Sequence, residues 1–122
     1  MRPTRTPSLP QIHILFQAGE HGDTMDFDGP SGTLAHAYYP GRLAIHGDMH
    51  FDMDEPWTLD QREWTGNDLF IVATHEIGHT LGLAHSNKQQ AVMYGAYRSV
   101  ETWKFKLDQD DIEGIRDLYA AE

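Results

Sequence analysis

At 122 residues, with 39% hydrophobic and 23% charged, the chain has room for one small domain and is neither collagen-like nor wholly disordered. Its formal charge of −10 disfavours a phosphate backbone as partner, no apolar run approaches the ~20 residues of a membrane span, and residues 1–20 show no charged-then-apolar signal peptide. Cysteine is absent, so neither disulfides nor thiolate ligands are available, whereas eight histidines among many acids point to metal ions as cross-links and counter-charge. Residues 1–11, rich in proline, read as an extended lead-in. Ile12, Ile14 and Phe16 alternate with His13 and Leu15 as a first strand. The acidic stretch Gly19–Pro30, with Gly22-Asp23 and Asp28-Gly29, is loop. Thr33–Tyr39, closed by Pro40-Gly41, is a second strand. Ile45–Asp52 alternates as a third, with His46, Asp48, His50 and Asp52 on one face. Pro56–Gly66 is a polar connection. Phe70, Ala73, Ile77 and Leu81 then recur at helical spacing, with Asn67 or Asp68 as N-cap and Gly82 as the stop. Residues 83–107 show no clear period. A last helix starts at Asp108, with Asp111 completing a capping-box variant and Ile112, Ile115, Leu118 and Tyr119 as its buried stripe.

Residues 75–85 read H-E-x-x-H-x-x-G-x-x-H. His75 and His79 are four apart on a helix, so both imidazoles project from one face and can share an ion. Gly82 permits a turn that a Cβ would oppose, and the returning chain presents His85 as a third nitrogen. Three neutral imidazoles leave zinc an open fourth position for water, whose pKa falls towards ~7. Glu76, one position round the helix, is placed to act as general base without being a ligand. A helix that merely contains core histidines is the plain alternative, but five fixed positions in eleven arise by chance in roughly one window in ten million at average usage.

With Ser86 after the third histidine and a methionine turn at Ala91-Val92-Met93-Tyr94, the chain resembles the metzincin metalloproteases, and among them the matrixins, or matrix metalloproteinases. Serine at that point marks matrixins, where astacins carry Glu and adamalysins Asp. The resemblance runs from about Ile12 to Tyr119. It implies an α+β (α/β-like) fold: a small twisted, mostly parallel sheet with an antiparallel edge strand, a zinc helix and a C-terminal helix. It implies Met93 as a hydrophobic floor beneath the zinc without a bond to it.

A closed set of three histidines and one aspartate suits structural zinc. The matrixin pattern carries those roles onto His21, Asp23, His36 and His50, with His46 as rival for the last place. Asp28, Asp52 and Glu55 supply the hard oxygens that calcium needs, and the family adds carbonyls at Gly29, Ser31 and Thr33. The family's second calcium site would use Asp48, but its partner acid is Gln11 here. Two zinc ions and one calcium would relieve a stretch, residues 20–60, that holds nine acids against Arg42 alone. Leu34 and Ala35 lie on the strand that is the matrixin sheet edge, where an extended peptide can pair. Tyr94 to Tyr97 correspond to the pocket beyond the scissile bond, with Gly95 where proline is usual.

Matrixin catalytic domains open with a strand and a long helix that residues 1–11 are too short to hold. The expectation is therefore an N-terminally truncated catalytic domain over residues 12–122, with an apolar sheet face exposed. In matrixins the N-terminal ammonium pairs with an acid of the last helix, here Asp110 or Asp111. That role is not carried over, since acids at a helix start are favoured by the dipole alone. The expected function is a zinc endopeptidase acting on extended extracellular-matrix or secreted polypeptides, located outside the cell or at its surface, with a protein inhibitor as a further partner. The competing reading is a non-catalytic, metal-stabilised module that binds peptides or inhibitors.

Overall fold

The computed structural model describes residues 12–19, 34–41, 46–59, 66–96 and 105–120. Strands β1 (Ile14–Gln17), β2 (Ala35–Ala37) and β3 (Met49–Asp52) form one sheet in the order β1-β3-β2. β1 runs parallel to β3, pairing Ile14 with Met49 and Gln17 with Asp52. β2 runs antiparallel to β3 and sets His36 opposite His50. β4 (Trp57–Thr58) and β5 (Asn67–Asp68) make a short parallel pair, followed directly by α1 (Leu69–Thr80) and later by α2 (Gln109–Tyr119). The architecture is α+β, a mixed sheet with an antiparallel edge strand and two helices.

The elements are shorter than their patterns suggest. β1 starts two residues later than Ile12. The described end of the second strand stops at Ala37, not Tyr39. The third begins only at Met49, because His46 and Gly47 form a turn whose Gly47 amide donates to Tyr38 O at 3.0 Å. His46 therefore does not share a strand face with His50 and Asp52. The supposed polar connection contains β4, whose Trp57 indole donates to Asp52 O at 2.8 Å and meets the Phe51 ring edge-on. That pairing makes Trp57 part of the packing, and Phe16 joins the same ring cluster, stacked on Phe51 at 5.3 Å and edge-on to Trp57 at 6.3 Å.

Met49 and Phe51 of β3 and Val72 of α1 form the centre of the core, with Leu34, Ala35, Ala37, Trp57, Leu69 and Ala73 packed around them. α1 is capped by Asp68, which accepts from Ile71 N at 3.1 Å. Its periodic apolar stripe is not the buried face. Phe70, Ile77 and Leu81 are 51%, 42% and 39% exposed, whereas Ile71, Val72, Glu76, Gly78, His79 and Thr80 are buried. Two stripes with the same 3.6 period coexist on this helix, and the sheet and the loop at Met93 cover the one that carries the polar residues. α2 repeats the lesson. Its capping box is present, with Asp108 accepting from Asp110 N and Asp111 accepting from Asp108 N. Yet Ile112 and Ile115 are half-buried, Leu118 and Tyr119 are exposed, and Asp111 is the buried residue. Ile14, Leu15 and Phe16 of β1 are likewise exposed apolar side chains. Among the described residues, no helix is long and apolar enough to cross a membrane.

Candidate metal centre

α1 ends in a Schellman turn. Gly82, at φ 111°, takes the left-handed position that glycine alone enters without strain. Its amide donates to His79 O at 2.9 Å, and Leu83 N donates to Gly78 O at 2.8 Å. The chain then doubles back, and His75, His79 and His85 each offer one ring nitrogen within 4.8 Å of the others. His75 Nδ1 lies 2.6 Å from Val92 O, and His79 Nδ1 lies 2.8 Å from Leu83 O. A carbonyl only accepts, so in both rings Nδ1 carries the proton and Nε2 the lone pair. The two Nε2 atoms face each other at 3.1 Å. Two lone pairs at that distance repel unless a proton or a metal ion lies between them, and the spacing is near the ~3.4 Å of two ligands on a tetrahedral zinc with ~2.1 Å bonds.

The electrostatics agree. Burial lowers the His75 pKa, and the neighbouring imidazoles His79 and His85 add to this. Burial lowers that of His79 too, with His85 contributing. Both rings are held neutral and available as ligands. Glu76 is 5% exposed, and burial pushes its carboxyl up to about 7. Its Oε2 is 3.9 Å from His75 Nε2, beside the nitrogens but outside their cluster.

Met93 lies buried beneath α1. A Cβ on Gly78 would collide with its Sδ, so the glycine inside the motif is what lets the methionine approach. Ser86 N donates to Met93 O at 2.9 Å, and Ser86 bridges to Tyr94. Asp111 accepts from Val92 N at 2.9 Å and from Met93 N at 3.1 Å. The chain of contacts Asp111–Val92–His75 thus reaches a candidate ligand. A dipole role for Asp111 is not sufficient: its carboxylate is 4% exposed and holds the methionine turn. Its place in the capping box is local, but nothing in the local sequence shows that this acid, rather than the half-buried Asp110, reaches the methionine turn.

A cleft of about 1380 Å³ opens above the centre. Leu34, Ala35 and Tyr94 are in its wall and His75, Glu76 and His79 at its floor. β2 pairs with β3 on one side alone, so among the described residues its other edge is unpaired. Tyr97 lies outside the described residues.

Of the second cluster, His36 and His50 come together, with Nε2 and Nδ1 3.1 Å apart, while His21 and Asp23 lie outside the described residues. Of the calcium set, Asp28, Gly29, Ser31 and Thr33 lie outside them as well, and Asp52 and Glu55 are both buried. Asp52 Oδ1 accepts from Asp54 N at 2.9 Å, but Oδ2 is buried with no hydrogen-bond donor among the described residues. A buried carboxylate oxygen without a donor fits a cation ligand. Asp48 is engaged by His13, whose amide donates to Oδ1 at 3.2 Å and whose Nδ1 is 3.4 Å from Oδ2.

The Matrixin family profile, Peptidase_M10, matches residues 4–120. This chain belongs to the matrixin family. It is 56% identical over 108 residues to matrix metalloproteinase-16 of Homo sapiens, covering 88% of this chain and 18% of that protein. It is 53% identical over 110 residues to macrophage metalloelastase of Rattus norvegicus, 90% of this chain and 23% of the relative. With stromelysin-1 of Mus musculus the identity is 55% over 111 residues, 90% and 22%. The matrixin described here thus spans about a fifth of the length of these curated relatives. Membership supports a metalloprotease at family level, with zinc and calcium as the family's metals.

Proposed function

We propose that the chain is a zinc-dependent endopeptidase that hydrolyses extended polypeptides. The observation that carries this reading is the convergence of two Nε2 lone pairs and the His85 ring beside a buried carboxyl at Glu76. In this reading His75, His79 and His85 hold the catalytic zinc, which when bound supplies Lewis-acid polarisation of the scissile carbonyl and acidification of water. Glu76 Oε2 accepts a proton from the attacking water, keeps it in a site that burial shields, and returns it to the leaving nitrogen. The outer edge of β2 at Ala35, beside Leu34 in the cleft wall, pairs with the substrate backbone, with Tyr94 and Tyr97 across the cleft. Met93 supports the histidines from below.

His21, Asp23, His36 and His50 form the structural zinc site in this proposal, and Asp28, Gly29, Ser31, Thr33, Asp52 and Glu55 the calcium site. Family membership supports polypeptide substrates and an extracellular or cell-surface location; that the substrates are extracellular-matrix or secreted proteins, with a protein inhibitor as partner, is part of this proposal.

The test is cleavage of a quenched fluorescent peptide by the zinc-loaded chain. Glu76→Gln and Glu76→Ala should lose turnover by about 10²–10⁴-fold, the usual worth of a general base, while retaining the zinc. His75→Ala, His79→Ala or His85→Ala should lose both. Turnover surviving in the Glu76 variants would defeat the mechanism. A parent chain that holds zinc and peptide without cleaving would be a binding module instead.

A further inference from the structure

α2 is tied along its length to the segment that follows α1. Tyr119 Oη donates to Leu81 O at 2.7 Å, Leu118 approaches Gly82, and Gly114 faces Leu83. Near the start of α2, Ser86 Oγ donates to Asp110 Oδ2 at 2.5 Å, the short separation of a charge-assisted hydrogen bond. The same Oγ accepts from Lys88 N at 3.0 Å, and Ser86 N is held by Met93 O. Ser86 is therefore fixed on three sides, and it is covalently next to His85.

His85 differs from the other two histidines. Their Nδ1 atoms are held by backbone carbonyls, whereas the exposed His85 ring has no hydrogen-bond partner among the described residues. It also lies outside any helix or strand. Its ring meets those of His75 and His79 at 5.2 and 4.8 Å, and its backbone, which carries it there, is anchored at the next residue.

We propose that Asp110, acting through Ser86 Oγ, is a positioning residue for His85, and that this contact sets how tightly and in what geometry the three-histidine centre holds its metal. The proposal rests on the metal-centre reading above. Its logic is that of an outer-sphere contact, which orients a ligand it does not itself replace.

The experiment measures zinc affinity by chelator competition and the visible absorption of the cobalt(II)-loaded chain. Ser86→Ala and Asp110→Ala should each weaken zinc by about 10–100-fold and alter the cobalt bands. The double variant should lose no more than the worse single, because Ser86→Ala already removes the contact that Asp110→Ala removes. Ser86→Thr keeps a hydroxyl and Asp110→Asn an acceptor oxygen, so both should bind within about threefold of the parent. Glu113→Gln, at an exposed site on the same helix, should change nothing. Alanine variants that bind like the parent with unchanged cobalt bands, or losses that add, would overturn the proposal. If the alanine variants do not fold, the conservative pair decides, since a tenfold loss in either contradicts it. A parent chain that binds no zinc at His75, His79 and His85 would instead overturn the metal-centre reading.

Discussion

Glu76 and the histidines beside it are pushed in opposite directions by the same burial. Burial raises the Glu76 carboxyl from 4.5 to about 7 and lowers His75 and His79 below 6.5. In the metal-free chain the contribution of Glu76 is present below 4.5 and lost as pH rises through about 7. The histidines contribute above 6.5, and their share is lost as pH falls through their lowered values. Denaturant unfolding of the metal-free chain should therefore show Glu76→Gln gaining on the parent between pH 5 and 8, by up to about 3 kcal/mol at ~1.4 kcal/mol per pKa unit. A gap constant with pH would contradict a buried, titrating carboxyl. Gly78 gives a second prediction. Helix propensity alone says that Gly78→Ala stabilises by ~1 kcal/mol. The contact with Met93 Sδ says the reverse, a loss of about 1–3 kcal/mol from overpacking, measured by urea unfolding and partly recovered with Met93→Ala. The H-E-x-x-H-x-x-G-x-x-H spacing made all the catalytic candidates legible, because helical period and one glycine turn suffice to bring them together. It did not reveal why position 78 is glycine, since the neighbour it accommodates is 15 positions away.

The helices and strands were legible in kind and less so in extent. Both helix starts follow from capping chemistry that is local to the sequence. The expected buried stripe of α2 is only half-buried at Ile112 and Ile115 and exposed at Leu118 and Tyr119, and on α1 Glu76 and His79 are buried while Ile77 is not, because apolar spacing alone cannot say which stripe meets the rest of the fold. Asp108 and Asp111 separate the two kinds of information. Asp108 caps α2, and Asp108→Ala should cost about 1 kcal/mol. Asp111 joins the capping box but also accepts from Val92 N and Met93 N. Asp111→Ala leaves amide donors without an acceptor at roughly 1–3 kcal/mol each, so it should destabilise clearly more than Asp108→Ala in thermal or urea unfolding. Equal losses would mean that the methionine turn does not depend on this carboxylate.

At the scale of the whole molecule, polar side chains outnumber apolar ones in the buried set. Among the described residues six apolar side chains are buried, against ten polar or charged ones that include His36, His50, Asp52 and Glu55. A core of that composition is stable only if its polar atoms are satisfied, and metal ions are the partners such donors fit. Chelation should therefore lower the melting temperature and loosen the fold by circular dichroism, because ions bound by the folded state alone stabilise it by mass action. Metal analysis before chelation should find two zinc ions per chain, and His21→Ala should remove one. With Ile14, Leu15 and Phe16 exposed on β1, the chelated chain should also self-associate in light scattering. A cooperative monomer that survives chelation would show that Met49, Phe51, Val72 and their neighbours suffice.

Local chemistry carried the three histidines and Glu76, the Gly82 turn, and the Asp68 and Asp108 caps, while the α+β class came from the resemblance to matrixins. Each of these local features depends on residues a few positions apart, so spacing is enough to read it. The short β4–β5 pair, the late start of β3 after the His46–Gly47 turn, the contact of His13 with Asp48, and the hold of Asp110 and Asp111 on Ser86, Val92 and Met93 were not readable in this way. These couple residues from 9 to 35 positions apart. Which acid is buried and which exposed is settled where chain segments meet, and no local pattern contains that meeting.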